Sequence, residues 1–213
     1  MIPARIVATF AVLLGLALGA GWLLVAAATP GDGTALDVAV LEVFHRGRTP
    51  LRSSVWAAVT DAGDTLVIVP AAVAVGLAWR WHRHDWLGLR LLGGAVLGAM
   101  VLYSVAKAVV GRGRPGADYA FTLESGLAFP SGHASQASAF WIALALLLLH
   151  VVRGRVARVA VTAVSASVVV LVAVSRLYLG AHWVTDVIAG TVLGTAWAGA
   201  LWWSLTPRVR DRR

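Results

Sequence analysis

Long uninterrupted stretches of apolar residues constrain this chain more than any other feature. Six of them, at about 6–28, 55–79, 86–110, 134–152, 159–174 and 182–205, are separated by shorter segments carrying arginine, glycine and aspartate. Roughly 17–25 apolar residues in a helix cross the hydrocarbon core of a bilayer. No soluble domain of 213 residues needs 59% hydrophobic and only 13% charged side chains. The pattern predicts an all-α, polytopic membrane protein with six transmembrane helices. No long repeat, low-complexity tract or linker interrupts it, so residues 1–213 read as one integral-membrane domain.

The first stretch also invites comparison with a cleaved leader, given Arg5 and the small residues Ala26 to Ala28. Its apolar part exceeds the roughly 7–15 residues of a leader core, so it reads as a retained helix. A polar loop with Pro30, Gly31, Asp32, Gly33, Asp37 and Glu42 follows, with a short surface helix expected over 35–44. Asp61 and Asp64 fall early in the second stretch. Carboxylates inside a membrane are costly, and the cleaner apolar run begins at Thr65. Both are therefore read as interfacial residues that cap a helix start. Gly93, Gly94, Gly98 and Ala99 suit close helix packing in the third span, and Arg90 near its start can snorkel.

Charge gives the orientation. The net charge of +8 sits mainly between apolar runs, with Arg5, Arg80, Arg83, Arg153, Arg155, Arg158 and the tail of Arg208, Arg210, Arg212 and Arg213 on one side. The positive-inside rule makes that side cytoplasmic, with both termini there. Arg46, Arg48 and Arg52 run against the rule. Tryptophans near run ends, such as Trp22, Trp79, Trp86, Trp202 and Trp203, fit interfacial belts. No groove-reading motif or aromatic-basic interleaving points to a nucleic-acid partner. The chain has no cysteine, which excludes disulfides, thiolate catalysis and Cys-based metal sites.

The unusual polar residues collect at the other side. Lys107 and Arg114 leave span three, Ser131 and His133 begin span four, Ser175 and Arg176 leave span five, and His182 and Asp186 begin span six. Two spans separate His133 from Arg176, so all four clusters meet at one membrane face. Lys107 is the single lysine against seventeen arginines. With Arg114 and Arg176 it can surround one phosphate, the arginines as forks and the lysine as a point charge. In 129–135, Pro130 discourages helix before it, Ser131 can cap, and Gly132 lets a ligand approach the backbone. The orphan amides of that helix start attract an anion. His182 and Asp186, four apart, are expected on one helix face, with Asp186 accepting the Nδ1–H of His182 and leaving its other nitrogen nucleophilic. His133 remains as acid for a leaving oxygen, a role worth about 10²–10⁴ in rate. Each residue alone has a bland reading: a snorkelling lysine, a loop turn at Arg114-Pro115, a border arginine, a structural His–Asp pair. Together those readings require several coincidences at one face.

Lys107, Arg114-Pro115, then Pro130-Ser131-Gly132-His133, then Ser175-Arg176, His182 and Asp186 resemble the full three-part signature of the type 2 phosphatidic acid phosphatase family. Its active-site pattern is shared with vanadium haloperoxidases and acid phosphatases. The resemblance implies His182 as nucleophile forming a phosphohistidine, Asp186 orienting it, and His133 protonating the leaving group. It implies Lys107, Arg114, Ser131, Gly132 and Arg176 as phosphate ligands, with Pro115 and Ser175 supporting. Arg112, Asp118 and Glu124 have weaker claims. It further implies hydrolysis without metal or cofactor, and the chain has no HExxH, Asp-rich run or Walker loop. The expected substrate is a membrane lipid phosphate: undecaprenyl diphosphate, phosphatidylglycerophosphate or phosphatidate, met at the extracytoplasmic face of the cell membrane. A transporter would need ionisable residues near the midplane, where this chain has few. A haloperoxidase would need soluble lobes, and a lipid-binding module would not need intact motifs.

Overall fold

The computed structural model describes residues 4–28, 33–121 and 124–206. Pro30, Gly31, Asp32 and the arginines of the tail lie outside the described residues. Among the described residues there are eight α-helices, one 3-10 turn and no strand: α1 (Ala4–Ala27), α2 (Ala35–Arg46), α3 (Pro50–Thr60), α4 (Thr65–Arg83), α5 (Leu87–Val110), α6 (Gly132–Val151), α7 (Arg155–Tyr178) and α8 (Val184–Leu205). All but α2 and α3 are long and apolar enough to cross a membrane, giving six candidate spans. The expected surface helix over 35–44 is α2, closed at its start by a capping box between Thr34 and Asp37.

The second span is shorter than expected. Residues 55–60 belong to the separate helix α3, which carries Arg52 and Ser54, and Asp61–Gly63 form a 3-10 turn. Asp64 then restarts the chain, its Oδ1 accepting the amide of Leu66 at 2.7 Å. Span five is longer than expected. It starts at Arg155 and carries Ser175 and Arg176 inside its last turn. Arg158 reaches back to the Leu149 and Val152 carbonyls at 2.8 and 3.0 Å, satisfying groups left orphaned at the end of α6.

Span six starts two residues late, so His182 stands in the loop before α8 rather than on it. The cause is local. Asp186 folds back at the third helical position and accepts the Trp183 amide at 3.0 Å, which fixes Trp183 as the cap.

The core lies where α5, α6 and α8 meet. Leu91, Leu92, Ala95, Ala99 and Leu102 of α5 face Ala139, Phe140 and Ala143 of α6 and Trp197, Ala198 and Leu201 of α8. The α6–α8 seam is the tightest contact. A Cβ at Gly194 would stand 2.2 Å from both Ser135 O and Ser138 Oγ. The hydrophobic effect cannot drive the association of apolar spans in lipid, so close packing and interhelical hydrogen bonds must. A Cβ at Gly98 would stand 2.3 Å from the Trp197 indole nitrogen, which donates to the Gly94 carbonyl at 3.0 Å, whereas Gly93 has no neighbour within 4 Å of a Cβ. α1 flanks α5 and α8, with Phe10 edge-on to Trp197 at 5.5 Å. Six antiparallel crossings bring the ends of α5 and α7 and the starts of α4, α6 and α8 to one end of the bundle.

Candidate active site

His182 owes its position to a tight turn after α7. Gly180 has φ of 66°, a left-handed backbone, and a Cβ there would stand 1.9 Å from the Tyr119 carbonyl. Only glycine accommodates both demands. Arg48 clamps the same turn. Its Nε donates to Tyr178 O at 2.6 Å and its Nη1 to Tyr119 O. The loop then turns inward, leaving His182 1% exposed.

Arg114 meets the ring directly. Its Nη1 lies 3.2 Å from His182 Nε2 and also donates to Ala181 O at 2.8 Å. A guanidinium has no acceptor, so Nε2 must present its lone pair and Nδ1 must carry the proton. Burial, then the charges of Arg176, Arg114, Lys107 and His133, hold the His182 pKa well below its ordinary value of 6.5. The imidazole is therefore neutral near neutral pH. Arg114 thus touches the His182 ring, and Glu124 links Arg114 to Arg176.

Asp186 Oδ2 is 3.5 Å from His182 Nδ1, beyond ordinary hydrogen-bond length, and Nδ1 stands buried without a partner. The expected His–Asp bond is thus not closed in this state. Asp186 is instead held by Arg112, whose Nη1 donates to Oδ1 at 2.6 Å. Arg112 Nη2 donates to Asp37 Oδ2, also at 2.6 Å. Asp37 accepts from Thr34 at both amide and hydroxyl, and from the Thr185 amide and hydroxyl at 3.0 and 2.8 Å. Burial raises the Asp37 pKa, but the amides of Thr185 and Thr34 and the Arg112 guanidinium outweigh it and hold it below the usual range.

Ser131 caps α6, and its amide donates to the Asp186 carbonyl at 3.0 Å, tying the starts of α6 and α8 together. Gly132 and His133 are the first residues of the helix, where amides have no intrahelical acceptor. His133 Nε2 lies 3.5 Å from Asp64 Oδ2. Lys107 Nζ donates to the Leu127 and Ala128 carbonyls at 2.5 and 3.1 Å, pinning the segment that leads into Pro130. Arg176 is 1% exposed; its Nη1 donates to Thr60 Oγ1 at 2.9 Å, and its Nη2 meets Glu124. Glu124 also accepts from Arg114 Nη1 at 3.1 Å. Burial raises the Glu124 pKa, yet Arg176 and Arg114 hold it low. Pro115 is buried. Ser175 does not reach the cluster: its hydroxyl donates to Val172 O of its own helix at 2.6 Å.

Asp37, Arg112, Thr60 and Glu124 are participants that residue patterns left out or ranked low. The Thr34–Asp37 capping spacing was visible, but its long-range half was not. Among the described residues no group of three or more His, Asp or Glu is placed to hold a metal ion.

The chain matches the PAP2 superfamily over residues 88–210. It is 33% identical to phosphatidylglycerophosphatase B of Bacillus subtilis over 161 residues, covering 74% of this chain and 77% of that one. It is 36% identical to lipid A 1-phosphatase of Rhizobium etli over 119 residues, covering 52% of this chain and 47% of the relative. Its fold matches the crystal structure of a transmembrane PAP2 type phosphatidylglycerolphosphate phosphatase from Bacillus subtilis, with TM-score 0.75, 28% identity and coverage of 93% and 94%. Aquifex aeolicus LpxE, at 19% identity and TM-score 0.58 over 78% of this chain and 94% of its own, shares the fold. Six candidate spans together with these matches define a multi-pass membrane phosphatase. The chain belongs to the PAP2 superfamily.

Proposed function

We propose that this protein hydrolyses a lipid phosphate or diphosphate through a phosphohistidine on His182, without a metal ion, at the extracytoplasmic face of the membrane. The observation that carries this reading is the contact of Arg114 Nη1 with His182 Nε2 at 3.2 Å, beside Arg176 and Lys107. It leaves a neutral nucleophilic nitrogen facing the groups that neutralise a phosphoryl charge.

A phosphoryl group entering this space takes over the guanidinium contacts. Arg114 and Arg176 face its equatorial oxygens, joined by the Gly132 amide and the third N–H of Lys107. Arg176 Nε, buried and unpaired, gains an acceptor at the same time. His182 Nε2 then attacks phosphorus in line as the bond to the lipid oxygen breaks, and His133 gives that oxygen a proton. Positive charge on the His182 ring closes the 3.5 Å gap to Asp186, which Arg112 already holds in place. Water, deprotonated by His133, cleaves the P–N bond and frees phosphate. Asp64 steadies the His133 imidazolium from 3.5 Å.

A bilayer-anchored substrate suits a site at the mouth of six spans. An apolar groove of about 570 Å³ between α1 and α8, walled by Leu13, Ala20 and Ile188, runs up to Phe129 and Thr185 beside the site and has room for hydrocarbon. The relative at 33% identity supports phosphatidylglycerophosphate as the first substrate to try, ahead of undecaprenyl diphosphate and phosphatidate. The test is phosphate release from these three lipids in detergent, with and without EDTA. Activity on at least one that survives chelation and yields to vanadate is expected. Loss of activity in EDTA, or acid-stable labelling of His182→Ala with phosphate, would sink the mechanism.

A further inference from the structure

The mechanism leaves one charged side chain of the pocket without a task. Glu124 stands in the α5–α6 loop at 29% exposure, with one carboxylate oxygen on Arg114 Nη1 and the other on Arg176 Nη2. These are the two guanidinium groups assigned to phosphoryl oxygens. The same Arg114 Nη1 is 3.2 Å from His182 Nε2, so the carboxylate sits one guanidinium nitrogen away from the proposed nucleophile. A carboxylate offers arginine the same paired oxygens that a phosphate does. Two anions cannot both hold these N–H groups: their repulsion in a half-buried pocket is large and the donors are few.

We infer that Glu124 is a built-in stand-in for the phosphoryl group: it fills the anion site of the resting enzyme and must leave before substrate can reach His182. The inference rests on the phosphate-pocket reading above. It makes Glu124 a specificity-determining residue. An occupied pocket rejects weakly bound anions, and admits only a group that outbids a tethered carboxylate. The exchange is a side-chain rotation rather than a loop opening. Arg114 itself pins the neighbouring backbone, through Nε to Gly126 O at 3.0 Å and Nη2 to Ser125 O at 3.3 Å.

The experiment titrates inorganic phosphate calorimetrically into the full chain in detergent. Glu124→Gln keeps the shape and removes the charge, and is expected to bind phosphate about tenfold more tightly than wild type, with a lower KM for lipid phosphate. Arg114→Gln is the control for the pocket and is expected to bind it about tenfold more weakly. Equal or weaker binding by Glu124→Gln, with Arg114→Gln weakened, overturns the inference and leaves the pocket reading standing. Phosphate binding that Arg114→Gln does not alter overturns the pocket reading itself. A thermal readout separates a bound stand-in from a merely structural glutamate. The Tm deficit of Glu124→Gln should shrink at saturating phosphate, and a constant deficit counts against the inference. Should the amide variant fail to fold, Glu124→Asp shortens the reach by one methylene and is expected to bind phosphate more tightly than wild type; equal or weaker binding again overturns it.

Discussion

The two ends of the helical bundle hold their charges in opposite ways. At the end away from the site, Arg83 lies over the Trp79 ring at 5.8 Å, Arg153 and Arg155 are exposed, and Arg158 tops the carbonyls of α6. All four are exposed, and none is paired with a carboxylate in a salt bridge among the described residues. At the site end Asp37, Arg112, Arg176 and Asp186 are all buried, and each is met by a polar group from a distant element. A buried charge costs several kcal/mol unless it is paired and hydrogen-bonded. One end therefore tolerates charges singly. The buried charges at the other are held as an assembled set, so stability and chemistry are coupled there.

The sharpest way to break this contrast is at the nucleophile. His182→Ala should cut turnover by about 10⁴-fold or more while membrane insertion persists, read as phosphate release per folded protein. Next comes the buried bridge. Arg112→Leu leaves Asp37 and Asp186 uncompensated and should cost about 3–5 kcal/mol of stability together with activity, read by denaturation in detergent. A smaller effect separates the ends by pH. The His182 pKa is lowered on folding, so the unfolded chain binds its proton first. Its contribution to stability is complete above about pH 6.5 and is lost as pH falls toward the lower folded value, at up to about 1.4 kcal/mol per pH unit. His182→Gln should remove that part of the slope of Tm against pH; an unchanged slope would place the titration elsewhere. The smallest effect belongs to the far end, where Arg155→Gln should change stability by less than about 0.5 kcal/mol and leave turnover untouched.

The far end was legible in the sequence and the site end only in outline. Apolar runs, arginine turns and span parity were enough to expect six helices and the meeting of Lys107, Arg114, Ser131, His133, Arg176, His182 and Asp186. Those signals are local or follow from counting crossings. The split of α3 from α4 was half-visible, because Asp61 and Asp64 flank a glycine, yet the apolar count ran through them. Spacing alone places His182 on a helix, because it does not show which residue caps that helix. Asp186 folding back on Trp183 decided that. Asp37 has no assigned role in the sequence reading, and Arg112 and Glu124 only weak claims, because contacts that define them are long-range: Asp37 meets Thr185 across 148 positions, Arg112 meets Asp186 across 74 and Glu124 meets Arg176 across 52.

That long reach bears on how the protein is made. Asp37 emerges from the ribosome early, while Thr185, Asp186 and His182 arrive only with the final span. Five spans can thread into the bilayer before the carboxylate of α2 meets Thr185. On the proposed mechanism the site stays incomplete until α8 docks, because the nucleophile and its carboxylate partner arrive with that helix.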